Sequence, residues 1–173
     1  MATSAELLVD GFGRIRENVA DVLDGLTPGQ LAYRVDPGAN PVSWLVWHLT
    51  RVQDDHLAAA FGVPQVWSAG GWAARFGLPA GMTDHGYGHG PEQVATVTAA
   101  TATAGLLTEY HEQTSAQTIK LVSELTDDDL DRVVDTRWTP HVTLGVRLVS
   151  VLDDDMQHVG QAAYVRGILL RRG

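Results

Sequence analysis

The stretch Thr143 to Leu170, TLGVRLVSVLDDDMQHVGQAAYVRGILL, constrains the fold more than any other part of the chain. It reads as one long helix, in which Leu148, Leu152, Val159 and Ala162 recur at steps that place side chains on one face. Three acids in a row, Asp153 to Asp155, stand about one turn before His158. Asp154 and His158 are four residues apart and share a helix face, so a carboxylate and an imidazole can form two arms of a metal clamp. The same residues also suit an ordinary polar surface. Choosing between these needs a third ligand and a pocket from elsewhere in the chain.

Three further helices are predicted. The first runs from an N-cap at Ser4 to a stop at Gly25, with Leu8, Phe12, Ile15, Val19 and Val22 at helical spacing. A capped turn with Pro28 at its first position and a turn-rich connector through Pro41 follow. Ser43 is the expected cap of the second, WLVWHLTRVQDDHLAAAF, which ends near Gly62. Leu45, Leu49, Val52 and His56 form its innermost stripe by spacing, and His48 sits beside that stripe. The third covers Glu92 to Leu125 with a break near 98–103, where β-branched residues lower helix propensity. Its expected inner face is Leu106, Leu107, Tyr110, Thr114, Gln117, Thr118, Leu121 and Val122. Asp127 to Leu130 starts a short turn, and Thr143 caps the last helix. No strand alternation and no internal repeat is evident. Four amphipathic helices with two long crossovers make an all-α four-helix bundle, with residues 1–173 as a single domain, and such bundles build sites from inward side chains.

Between the second and third helices lies GVPQVWSAGGWAARFGLPAGMTDHGYGHGP, residues 62–91. Loops this long in a compact domain tend to be functional or disordered, and Trp67, Trp72 and Phe76 argue against disorder. The segment is expected to fold over the bundle and wall a pocket. His85 and His89 within it are flanked by glycines, so their four-residue gap does not align them on a helix face.

Composition narrows the partners. A net charge of −9 argues against nucleic acid and anionic membrane surfaces, both of which need a basic patch. Without cysteine there is no disulfide, no thiolate ligand and no cysteine nucleophile, so any thiol chemistry uses a thiol from outside. No stretch approaches 18 apolar residues, and the N-terminus lacks a signal peptide's pattern, which makes a cytoplasmic location the expectation. No Ser-His-Asp set, phosphate loop or Walker motif is recognisable.

Among the seven histidines, His48 and His158 stand out because both flank apolar stripes on helices expected to face each other. Asp155 falls near the middle of the last helix's stripe and Asp154 on its His158 side. A carboxylate held inward is costly unless it is paired or coordinates a cation. Spacing does not separate Asp154 from Asp155 as the candidate ligand.

WLVWHLTRVQDDH, the segment from Gly71 to Pro79 and DDDMQHVGQAAYVRG resemble the DinB/YfiT-like superfamily, and more narrowly its actinobacterial mycothiol-dependent branch, related to the N-terminal part of maleylpyruvate isomerase. The likeness runs through nearly the whole chain. It implies a four-helix bundle that holds a divalent metal, zinc or nickel, with one histidine from the second helix and two ligands from the last. Carried onto this chain, the ligands fall on His48, Asp154 and His158, with an aspartate where the commoner pattern has a third histidine. The resemblance also implies a low-molecular-weight thiol cosubstrate, a small-molecule electrophile, S-transferase or isomerase chemistry, and a homodimer. Trp44, Asp55, His56, Tyr110 and Gln161 are the expected pocket-lining or supporting residues. The rival expectation is a non-catalytic metal-binding or scavenging protein on the same bundle.

Overall fold

In the first helix, the Thr3 hydroxyl accepts from the Glu6 backbone N–H while the Glu6 carboxylate accepts from the Thr3 N–H. This reciprocal pair makes Thr3 the cap, not Ser4, and α1 runs Ser4–Leu23. The computed structural model describes residues 2–79, 82–101 and 103–172. After α1 come a single-turn α2 (Pro28–Leu31) and then α3 (Val42–Phe61), which begins after Pro41 with no side-chain cap, so Ser43 lies inside the helix. Two one-turn helices, α4 (Val66–Ala69) and α5 (Trp72–Arg75), fold the expected covering segment; its residues 80 and 81 lie outside the described residues.

The predicted third helix is two, α6 (Pro91–Thr101) and α7 (Ala104–Ser123), separated where the β-branched cluster ends. Residue 102, within the expected break, lies outside the described residues. A 3-10 turn at Asp127–Asp131 leads to β1 (Val133–Asp135), which pairs antiparallel with β2 (Val142–Thr143), and α8 (Leu144–Arg172) follows. This small ribbon corrects the expectation of no strands; its strands are three and two residues long, too short for an alternating pattern to show. The Thr143 hydroxyl still accepts from the Val146 N–H at the start of α8, the capping role expected of it.

Four long helices pack side by side. Arg16 meets Glu112 at 2.7 Å, and Thr3 and Ser123 share a groove, so α1 and α7 run antiparallel. Leu152 lies against Gly11, and Arg166 donates to the Asp24 carbonyl, so α1 and α8 run parallel. Thr50 meets His111 and Gln53 meets Thr118, so α3 and α7 run parallel as well. Parallel neighbours need long crossovers, and the one between α3 and α7 carries α4, α5 and α6 across the bundle.

That crossover changes the environment of α3. Every residue from Pro41 to Asp54 is buried, because the bundle covers one side of the helix and the crossover the other. A one-face stripe therefore misplaces the centre: His48 is buried, while His56, assigned to the innermost stripe, is about one-third exposed. On α7 the buried set adds His111 and Ser115 and leaves Leu106, Gln117 and Leu121 half-buried. Burial pushes the His111 pKa down to about 4, so its neutral ring donates from Nδ1 to Thr50, whose hydroxyl donates to the Val46 carbonyl. Among the described residues no helix is long and apolar enough to cross a membrane.

Candidate metal centre

His48 on α3 and Asp154 with His158 on α8 each offer one ligand atom, and these atoms lie within 4.8 Å of one another. His158 Nε2 stands 3.7 Å from Asp154 Oδ1, and the His48 and His158 ring centroids are 4.7 Å apart. With metal–ligand bonds of about 2.0–2.2 Å, ligand atoms on a common ion are separated by roughly 3–4 Å. Small side-chain rotations suffice to close the set.

The neighbours of the two imidazoles fix which nitrogen faces the cluster. His48 Nδ1 lies 2.5 Å from the His85 carbonyl oxygen, which accepts only, so Nδ1 carries the proton and Nε2 keeps its lone pair. His158 Nδ1 pairs in the same way with Gln161 Oε1 at 3.1 Å. This is the arrangement in which ligating histidines are usually held. Burial pushes the His48 pKa down to about 4, so the ring is neutral near pH 7 and its lone pair is available.

The acids separate. Asp153 is exposed, Asp154 is half-buried and Asp155 is fully buried, deeper than expected. Burial raises the Asp154 pKa and raises that of Asp155 well above the usual carboxylate range. Asp154 Oδ2 is enclosed and has no hydrogen-bond partner among the described residues. An enclosed carboxylate oxygen without a donor, beside two imidazole nitrogens with free lone pairs, is a donor set that suits a cation.

The covering segment completes the site. Trp44 stacks on His48 at 4.6 Å between centroids, and its indole N–H donates to His89 Nδ1. His89 Nε2 in turn donates to Asp84 at 2.7 Å, and the other Asp84 oxygen takes the Gly86 N–H. Gly86, at φ +95°, lies on the His48 ring; a Cβ there would sit 2.8 Å from His48 Nδ1 and 3.0 Å from the Trp47 ring. Only glycine lets the backbone approach so closely while offering the neighbouring carbonyl to His48.

Arg51 holds this segment in place. Fully buried, it donates to the Thr83 carbonyl at 2.9 Å and the Asp84 carbonyl at 3.3 Å, and it pairs with the equally buried Asp54. Asp54 accepts the backbone N–H groups of Val66 and Trp67 at 2.8 and 2.7 Å and the Tyr110 hydroxyl at 2.9 Å. One buried ion pair thus ties both ends of the covering segment to α3.

Of the expected supporting residues, Trp44 and Gln161 touch the ligands. Tyr110 belongs instead to the Arg51–Asp54 cluster, and its ring partners are Trp67, Trp72 and Phe76. Asp55 and His56 line a neighbouring cavity. Nothing in the sequence analysis points to the His85 carbonyl or to Arg51. A backbone carbonyl leaves no residue-type signal, while Arg51 left a weak one: a lone cation between His48 and Asp54, three residues from each.

A family model described as Mycothiol-S-transferase matches residues 7–170. Among solved structures, a conserved protein from Enterococcus faecalis is similar at 31% identity, with 96% of each chain covered and a TM-score of 0.85. A DinB-like protein from Bacillus cereus is similar in fold, at 18% identity, over 95% of this chain and 92% of that one, with a TM-score of 0.59. No curated protein matches the chain.

Proposed function

The chain belongs to the mycothiol-S-transferase family, and from that membership we propose that it is a divalent-metal-dependent thiol S-transferase whose ion is held by His48, Asp154 and His158. The observation that carries the proposal is the convergence of two imidazoles, each held through Nδ1 with Nε2 free, on the Asp154 carboxylate, one oxygen of which is enclosed without a donor. Two imidazoles and one carboxylate suit zinc or nickel and leave coordination positions open. When bound, the ion lowers the pKa of a small thiol so that thiolate is present at neutral pH.

The remaining work falls to the chain. Asp154 offsets part of the cation's charge, and the His85 carbonyl and Gln161 keep the histidines in the ligating tautomer. Trp44, stacked on His48, shields one side of the cluster from water. In the transfer, the thiol sulfur bonds to an electrophilic carbon, the bond from that carbon to its leaving group breaks with the electron pair going to that group, and the thiol proton is released to water. The absence of cysteine suits this role, since the protein cannot form a mixed disulfide with its own cosubstrate.

A purely scavenging role predicts a site closed by a fourth side chain or plugged by the covering tryptophans. Among the described residues no fourth His, Cys, Asp or Glu joins the group. The rings of Trp67 and Trp72 pack against Tyr110, Phe76 and, for Trp67, Trp47, while Trp44 is the tryptophan that meets His48 and His158. The test is conjugation of a thiol to a chromogenic electrophile by purified, metal-loaded protein. Turnover that needs the thiol and stops with chelator is expected; metal-loaded protein with no thiol-dependent turnover for any small thiol overturns the transferase proposal.

Gly86→Ala is expected to weaken metal binding about 10–100-fold, the size of effect seen when a group orienting a ligand is disturbed. The added Cβ pushes the His85 carbonyl away from His48. Helix content by circular dichroism should be unchanged, and an affinity equal to wild type in a chelator competition would count against this support of His48.

A further inference from the structure

Beside the metal centre, between α3, α8 and the β1–β2 ribbon, lies a cavity of about 300 Å³ lined by Asp55, His56, His85, Asp135, Arg137 and Arg147. Two larger grooves, beside Asn18 and Arg166 and beside Glu6 and Asp127, contain none of the metal-centre residues or their partners. The cavity is joined to the centre by His85, whose carbonyl holds His48 and whose side chain helps form the wall. Arg147 precedes Asp154 by seven residues, which places it on the same face of α8, two turns away, or about 10 Å along the axis.

The acidic side chains of the cavity are largely engaged. Asp135 takes the backbone N–H and Nε of Arg137 on one oxygen, at 2.9 and 3.0 Å, and Nη2 of Arg137 and of Arg147 on the other, at 2.8 and 3.2 Å. Asp55 accepts the Gln65 amide at 2.7 Å, and its second oxygen stands 3.8 Å from His56 Nδ1. The donors are not used up. Arg147, only 15% exposed, makes that one bond to Asp135 among the described residues, which leaves most of its five N–H groups free. The His56 ring has no hydrogen bond among the described residues, and His85 Nδ1 is enclosed without one. A small polar cavity with surplus planar donors calls for an acceptor with two oxygens.

We propose that this cavity binds a carboxylate, with Arg147 as its main partner, on a ligand whose other end reaches the metal centre. The second half rests on the metal-centre proposal; the first does not. The carboxylate can belong to the thiol or to the electrophile.

Two measurements test it. In metal-free protein, benzoate is expected to shift the Arg147 Nε–H resonance saturably, benzamide to leave it in place, and Arg147→Gln to abolish saturable benzoate binding. In metal-loaded protein, thiols and electrophiles are compared as pairs with and without a carboxylate. Arg147→Gln should raise KM about tenfold or more for the carboxylate-bearing member of one pair only, with Arg147→Lys giving a smaller rise. The pair that responds identifies the source. No benzoate-dependent shift, or a KM unchanged for both pairs, overturns the proposal. Benzoate binding that persists while the protein takes up no metal supports the cavity and removes the transferase proposal alone.

Discussion

Replacing Arg51 with methionine is expected to lower the free energy of unfolding by about 3–5 kcal/mol at neutral pH, the usual cost of removing one partner of a buried ion pair. Arg51 and Asp54 are both wholly buried, and without the guanidinium the Asp54 carboxylate keeps only two backbone N–H groups and the Tyr110 hydroxyl. Burial already raises the Asp54 pKa, and loss of Arg51 raises it further. A carboxyl group whose folded pKa lies above its unfolded value gives up stability as pH rises from the unfolded pKa through the folded one. The deficit of Arg51→Met should therefore be smallest near pH 4 and grow toward pH 7, and Asp54→Asn added to it should recover part of the loss. Urea unfolding at the two pH values checks this; a deficit independent of pH would mean that Asp54 does not carry the charge. The same substitution frees the Thr83 and Asp84 carbonyls, so metal affinity should fall even where the fold survives.

Loss of a ligand should have the larger effect on the metal. His48→Ala, Asp154→Ala and His158→Ala are each expected to lower affinity by more than about 100-fold, beyond the 10–100-fold typical of groups that only orient ligands. Asp155→Asn should leave affinity within a few-fold, because Asp155, although fully buried, is not a member of the cluster. Competition against a chromophoric chelator reads all four. Equal losses for Asp154→Ala and Asp155→Asn would mean that the carboxylate ligand has been misassigned.

The helical framework was legible because Phe12, Ile15, Val19, Leu45, Leu49, Leu148 and Val159 repeat with the period of a helix face, and each is buried. Boundaries were less so: the Thr3–Glu6 capping box and the bare start after Pro41 depend on reciprocal bonds that residue type alone does not determine. The nearness of Asp154 to His158 followed from the four-residue step. The third arm did not, since His48 belongs to another helix and lies off the stripe that periodicity picks out. A crossover that buries α3 all round erases the one-sided pattern, which is why His48 is buried and His56 about one-third exposed, although spacing puts His56 innermost and His48 beside it. A place beside an apolar stripe makes His48 a candidate, the family resemblance makes it the third ligand, and its nearness to Asp154 and His158 is a matter of geometry. The His85 carbonyl and the Arg147 cavity lay beyond reach because both arise where segments remote in sequence meet.

The most direct test of a metal-held thiol is the electronic spectrum of the cobalt(II)-substituted protein during titration with a small thiol. A sulfur-to-cobalt charge-transfer band should appear, saturate at one thiol per protein and be absent from Asp154→Ala and His48→Ala. Stoichiometric cobalt whose spectrum does not change with any thiol would contradict the proposal.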